Sequence, residues 1–322
     1  MRNSERIQLN AFAKDVKEGL SLNPKALSSK YFYDDEGSKL FQKIMKLPEY
    51  YLTQSEHEIL RNQTEQIFKA FEIRKDEFDL IEFGAGNGTK TYLLVDYLLQ
   101  NQSHFTYVPI DISPKTLTSL TEKFNKVFPD LDIQSEQGDY FETLETLKVK
   151  SAKRKIILFL GSSIGNFNEE RALYFFKRLR NAMNKEDLLF IGFDLHKNPK
   201  TILNAYDDSQ GVTAEFNLNL LARINRDLAA DFNIEEFYHY AIYNPLEYAA
   251  RSFLISRKKQ TVSIEVLGKS FEFEKWEPIH VELSQKYSIK TINELACKNK
   301  FKVINNFFDK NKFYTNSLWS PL

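Results

Sequence analysis

The chain has 322 residues, 42% hydrophobic and 27% charged, with 44 basic and 44 acidic side chains and no formal net charge. Such a chain can bury a substantial core, which excludes a disordered protein, and its charge balance gives no electrostatic reason to bind nucleic acid or an anionic membrane. One cysteine, Cys297, excludes an intrachain disulfide and fits a reducing compartment. Met1–Lys14 is polar and lacks the apolar core of a secretion signal, and no run approaches the ~18 apolar residues of a membrane span. A cytoplasmic monomer is expected, acting on a small molecule.

Helical periodicity fills residues 5–20 and 36–72, broken at Leu47-Pro48-Glu49-Tyr50-Tyr51, where proline cannot continue the helical hydrogen bonding. Strand patterns follow at Phe78–Phe83, Phe105–Ile110, Leu131–Ser135, Lys155–Leu160 and Leu188–Phe193. Helical patterns over 89–100, 114–127 and 168–184 lie between most of them. This alternation predicts an α/β fold with a doubly wound parallel sheet, whose ligand crevice lies beyond the carboxyl ends of the strands.

From Lys197 the pattern changes. Residues 199–230 read as helices, and Phe237–Asn244, Arg251–Glu265 and Phe271–Lys286 read as strands. A helix at Thr291–Asn299 precedes two runs, Phe301–Phe308 and Lys312–Leu318. Asp309-Lys310-Asn311 between them predicts a terminal antiparallel hairpin at the sheet edge. The expected division is a sheet domain of 59–196 and 286–322, and an inserted α+β domain of 1–58 and 197–285.

The segment Leu80-Ile81-Glu82-Phe83-Gly84-Ala85-Gly86-Asn87-Gly88-Thr89-Lys90 is a strand, a glycine turn and a helix start, the first unit of a nucleotide-binding domain. Its Gly84-x-Gly86-x-Gly88 spacing is one residue tighter than the dinucleotide pattern, which argues against a dehydrogenase. Asp111, at the end of the next strand, suits the two ribose hydroxyls of an adenosine. Asp139-Tyr140, after the third, suits an adenine amino group and ring face. Elements at three successive strand ends match methyltransferases that use S-adenosylmethionine. Singly, Asp111 also fits a helix N-cap and Asp139 a turn.

The chain resembles the histidine-specific Nα-methyltransferases of ergothioneine biosynthesis over roughly residue 25 to the end. The similarity is carried by Lys30-Tyr31-Phe32-Tyr33-Asp34, Leu47-Pro48-Glu49-Tyr50-Tyr51, Val108-Pro109-Ile110-Asp111-Ile112-Ser113 and Phe159-Leu160-Gly161-Ser162-Ser163-Ile164-Gly165-Asn166. Ala205-Tyr206-Asp207-Asp208, Gly211-Val212-Thr213-Ala214 and Glu282-x-Ser284-x-Lys286-Tyr287 extend it. The resemblance implies a Rossmann-like methyltransferase sheet and an inserted substrate domain. It also implies S-adenosylmethionine as donor and L-histidine as acceptor, trimethylated to hercynine. It places cofactor contacts on Tyr50, Gly84, Gly86, Lys90, Asp111, Asp139 and Tyr140. Substrate contacts fall on Tyr33, Tyr50, Gly161, Asn166, Tyr206, Glu282 and Ser284.

Chemistry agrees with several of these roles. Asn166, after the fourth strand, offers an oxygen to the substrate amine and aims its lone pair at the methyl group. Glu282 and Ser284, two apart in a strand, hold the two nitrogens of an imidazole. Tyr33 and Tyr206 offer hydroxyls to a carboxylate. Tyr33 and Asn166 are the expected catalytic positioning groups, with no dedicated general base. Each residue also has a plainer role: Asn166 as a helix cap, Glu282 and Ser284 on a solvated strand, the tyrosines in the core. The five histidines are scattered, so no metal is expected. The alternatives are a methyltransferase of the same fold acting on another small amine or aromatic amino acid, and a non-catalytic module that binds S-adenosylmethionine.

Overall fold

The computed structural model describes residues 3–73, 77–139, 143 and 152–322. The chain forms two compact units, Met1–Tyr51 with Lys197–Ser284, and Leu52–His196 with Gln285–Leu322. The first boundary falls at Tyr51/Leu52, earlier than the expected 58/59. Glu56 is the reason: it is buried against the sheet that follows it.

In chain order the elements begin with α1 (Asn3–Ser21), β1 (Lys25–Ala26), α2 (Asp35–Ile44), α3 (Tyr51–Asn62) and α4 (Thr64–Phe71). The winding follows: β2 (Phe78–Phe83), α5 (Thr89–Gln100), β3 (Phe105–Asp111), α6 (Pro114–Val127), β4 (Asp132–Ile133), β5 (Glu136–Gln137), β6 (Arg154–Phe159), α7 (Glu169–Ala182) and β7 (Leu188–Asp194). Then come α8 (Pro199–Asn204), α9 (Val212–Leu228), β8 (Phe237–Asn244), β9 (Ala249–Ser256), β10 (Gln260–Ile264), β11 (Lys269–Phe273) and β12 (Pro278–Gln285). The chain ends with α10 (Ile289–Lys298), β13 (Phe301–Phe308) and β14 (Tyr314–Pro321).

In the second unit the strand order is β13-β14-β7-β6-β2-β3-β4, with β5 also on β3. The pairs from β7 to β4 are parallel; β14 runs antiparallel to β7 and to β13. The strands are apolar runs because both faces are covered. Successive residues go to opposite sides. Leu80, Ile156 and Phe190 enter the core that contains Leu94, Leu98 and Phe124; Ile81, Ile157 and Ile191 enter the core that contains Phe175, Phe176 and Trp319. Caps fix the helix starts. Ser113 Oγ accepts from Thr116 N at 3.2 Å before Pro114, and Asn168 Oδ1 accepts from Arg171 N at 2.9 Å.

In the first unit a sheet ordered β1-β12-β9-β8 and a β10-β11 pair share one core with α1 and α9. Phe12, Val16, Phe216, Leu220, Leu254, Ile279 and Val281 belong to it. Two long strand patterns are each divided in the fold. Arg251–Glu265 breaks after Ser256, whose Oγ donates to Lys258 O at 2.8 Å. Phe271–Lys286 breaks near Trp276, which sits at φ +70°. Among the described residues, no helix is long and apolar enough to cross a membrane.

Candidate functional site

The glycine turn and β3 form one hydrogen-bonded cradle in the second unit. Gly84, Gly86 and Gly88 have φ of +68°, +53° and +65°, a region that side chains with a β-carbon disfavour. Asp111 is not a helix cap; Ser113 has that role. Instead Asp111 Oδ2 accepts from Gly86 N at 3.1 Å and Oδ1 from Ser113 N at 2.9 Å. Burial raises its pKa, against the hydrogen bonds from the backbone of Ser113, Gly86 and Ile112. The carboxylate keeps acceptor capacity for a ligand hydroxyl.

The three glycines differ in what they exclude. A β-carbon on Gly88 would stand 2.6 Å from the Phe124 ring, so this glycine serves packing. On Gly86 it would meet only Gly84 O, at 4.0 Å. The space over Gly86 therefore suits a close ligand, and the turn, Asp111 and Lys90 fit an adenosyl group with an amino-acid tail.

Lys90 and Gly161 meet at a residue the sequence did not single out. Glu56 is fully buried, and its Oε2 is 2.5 Å from Lys90 Nζ. The carboxylate also accepts from Gly161 N, at 2.9 Å to Oε2, and from Tyr314 OH at 3.0 Å and Asn316 Nδ2 at 2.9 Å. A signal existed: Glu56 shares the apolar stripe of α3 with Leu52, Ile59 and Leu60, an unusual place for an acid. Below the turn, burial pushes Glu82 up to about 7, opposed by Thr91, Tyr107 and Lys90; Tyr107 OH donates to its Oε2 at 2.5 Å.

Asn166 ends the 3-10 turn Ser163–Asn166 after β6 and is exposed. It does not cap α7; Asn168 does. Asp139 is half-buried, and its carbonyl accepts from Thr143 N at 3.0 Å and Thr143 Oγ1 at 2.9 Å. Tyr140 lies outside the described residues.

The remaining candidates belong to the first unit. Tyr206 OH donates to Ser284 Oγ at 2.6 Å, both buried. Ser252, fully buried, donates to Glu282 Oε2 at 2.9 Å. Sequence patterning did not mark Ser252, which reads as an ordinary strand residue. Tyr33 and Tyr50 both stand edge-on to Phe41, with centroids 5.3 and 6.0 Å away. Phe216 stands 5.6 Å from Tyr33 and 5.7 Å from Phe41, completing a group of rings. Such faces attract an alkylated ammonium.

Comparison with known proteins is consistent with this chemistry. A family model described as "Histidine-specific methyltransferase, SAM-dependent" matches residues 12–321. A histidine N-alpha-methyltransferase of Mycobacterium tuberculosis is 36% identical over 89% of this chain and 88% of its own. One from Mycolicibacterium smegmatis is 35% identical over 86% and 84%. Ergothioneine biosynthesis protein 1 of Schizosaccharomyces pombe is 27% identical over 86% of this chain and 36% of its own.

Proposed function

Because the chain belongs to the S-adenosylmethionine-dependent, histidine-specific methyltransferases, we propose that it methylates the α-amino group of L-histidine three times, giving hercynine for ergothioneine biosynthesis. The observation that carries this is a family match along almost the whole chain, including both segments that build the first unit. When bound, S-adenosylmethionine supplies an electrophilic methyl group on a sulfonium.

The protein's part is to hold and to orient. The glycine turn and Asp111 take the adenosyl ribose, and Lys90 takes the donor's carboxylate. Asn166 accepts a hydrogen bond from the substrate amine and fixes its lone pair. Desolvation of the bound amine would depress its pKa, so that before each transfer the ammonium releases a proton to solvent with no dedicated base. Alignment of this kind supplies up to roughly 7–11 kcal/mol in favourable cases. Glu282, held by Ser252, and Ser284, held by Tyr206, take the imidazole nitrogens. The rings of Tyr33, Phe41, Tyr50 and Phe216 favour the growing positive charge of the methylated amine.

The test is mass spectrometry of L-histidine incubated with the protein and S-adenosylmethionine. Successive additions of one, two and three methyl groups are expected. No gain on histidine, with trimethylation of another amino acid, would overturn the substrate. Cofactor binding without turnover on any amine would leave a binding module.

A further inference from the structure

Glu56 has no part in the roles proposed above, yet it pairs with Lys90, which does. It is a fully buried carboxylate, a costly group unless charge and hydrogen bonds compensate it. Tyr314, Asn316 and the Gly161 amide already give it neutral donors. Lys90 adds a cation from α5, and its side chain keeps 20% exposure while Glu56 keeps none. The ammonium has three N–H bonds, so pairing with Glu56 Oε2 leaves capacity for a second carboxylate on its open side.

The backbone is thinned around this pair at two places. Gly161 has φ +77°, and a β-carbon there would lie 3.3 Å from Lys90 Nζ. A β-carbon on Gly192 would lie 2.6 Å from Glu56 Oε1 and 2.1 Å from Tyr314 OH. A side chain at Gly192 would displace the Glu56 carboxylate, and one at Gly161 would crowd the Lys90 ammonium.

We infer that Glu56 is a positioning residue for the methyl donor: it presets the Lys90 ammonium to receive the carboxylate at the donor's amino-acid end. This rests on the cofactor role proposed for Lys90. Without Glu56 the lysine would sweep a wider volume, and its cation would be ordered only at the cost of binding energy.

Calorimetry with two ligands tests the role apart from turnover. S-adenosylhomocysteine carries the amino-acid end; 5′-methylthioadenosine has the same adenosyl thioether without it. Glu56→Gln is expected to weaken S-adenosylhomocysteine roughly tenfold and to leave methylthioadenosine within about twofold, as one lost charge-assisted contact implies. Equal weakening of both ligands, or of neither, overturns the inference. Should Glu56→Gln fail to fold, Tyr314→Phe keeps the carboxylate and loosens it. A selective loss for S-adenosylhomocysteine then supports the role, and an unchanged ratio overturns it. A wild-type protein that binds neither ligand overturns the cofactor assignment itself, a result distinct from a failed Glu56 variant.

Discussion

The Tyr206 hydroxyl donates to Ser284 Oγ at 2.6 Å, with both side chains buried. The bond fixes the two hydroxyls against each other inside the first unit. Two residues assigned to different ends of a substrate therefore act as one device.

Tyr206→Phe should raise the histidine KM roughly tenfold, the cost of about one buried hydrogen bond. Ser284→Ala should do the same, and the double variant should be no worse than either single one. Steady-state kinetics on the three proteins checks this. Independent, multiplying effects would break the pair into two unrelated contacts.

The glycine turn makes a sharper contrast. Gly88→Ala forces a β-carbon to 2.6 Å from Phe124 at φ +65°, which should cost roughly 2–5 kcal/mol of stability. Gly86→Ala meets open space at φ +53°, so only about 1–2 kcal/mol of backbone strain is expected. Its larger effect should be on S-adenosylmethionine binding. Urea titration and calorimetry on both variants separate the two; Gly86→Ala with undiminished affinity would remove the turn from the cofactor site.

Much of this was legible because it is local. Leu80 and Ile81 announce a strand buried on both faces, and Asp309-Lys310-Asn311 announces the turn between β13 and β14. Asp111 was found by its place at a strand end. Glu56 was not, because its partners lie 105 and 258 residues away and an acid in a helical pattern reads as solvated. Ser252 escaped for the same reason: only pairing with Glu282, 30 residues on, gives it a task. The aromatic alternation of residues 251–286 runs through two breaks that tertiary contacts impose, so strand number was harder to read than strand character.

Asn168 caps α7, and Asn166, for which we propose contact with the substrate amine, does not. Asn168→Ala removes the α7 cap and should cost about 1 kcal/mol of stability with little change in kcat. Asn166→Ala, at an exposed position, should leave the melting temperature alone and lower kcat. Thermal melts with turnover assays decide it. The reverse pattern would make Asn166 a structural residue.

Glu82 should write a pH dependence into stability. Burial raises its pKa from the ordinary 4.5 to about 7, against the hydrogen bond from Tyr107 and the nearby Lys90 charge. The folded protein thus holds this proton across a range where the unfolded chain has released it. Stability is fully present below the unfolded value and falls as pH rises through the folded one, by about 3 kcal/mol at most. Glu82→Gln cannot ionise and still accepts from Tyr107, so its stability should be flatter between pH 5 and 8. Urea midpoints of both proteins across that range give the comparison. Parallel curves would mean that Glu82 is already ionised well below neutrality and that the polar groups beneath the glycine turn outweigh its burial.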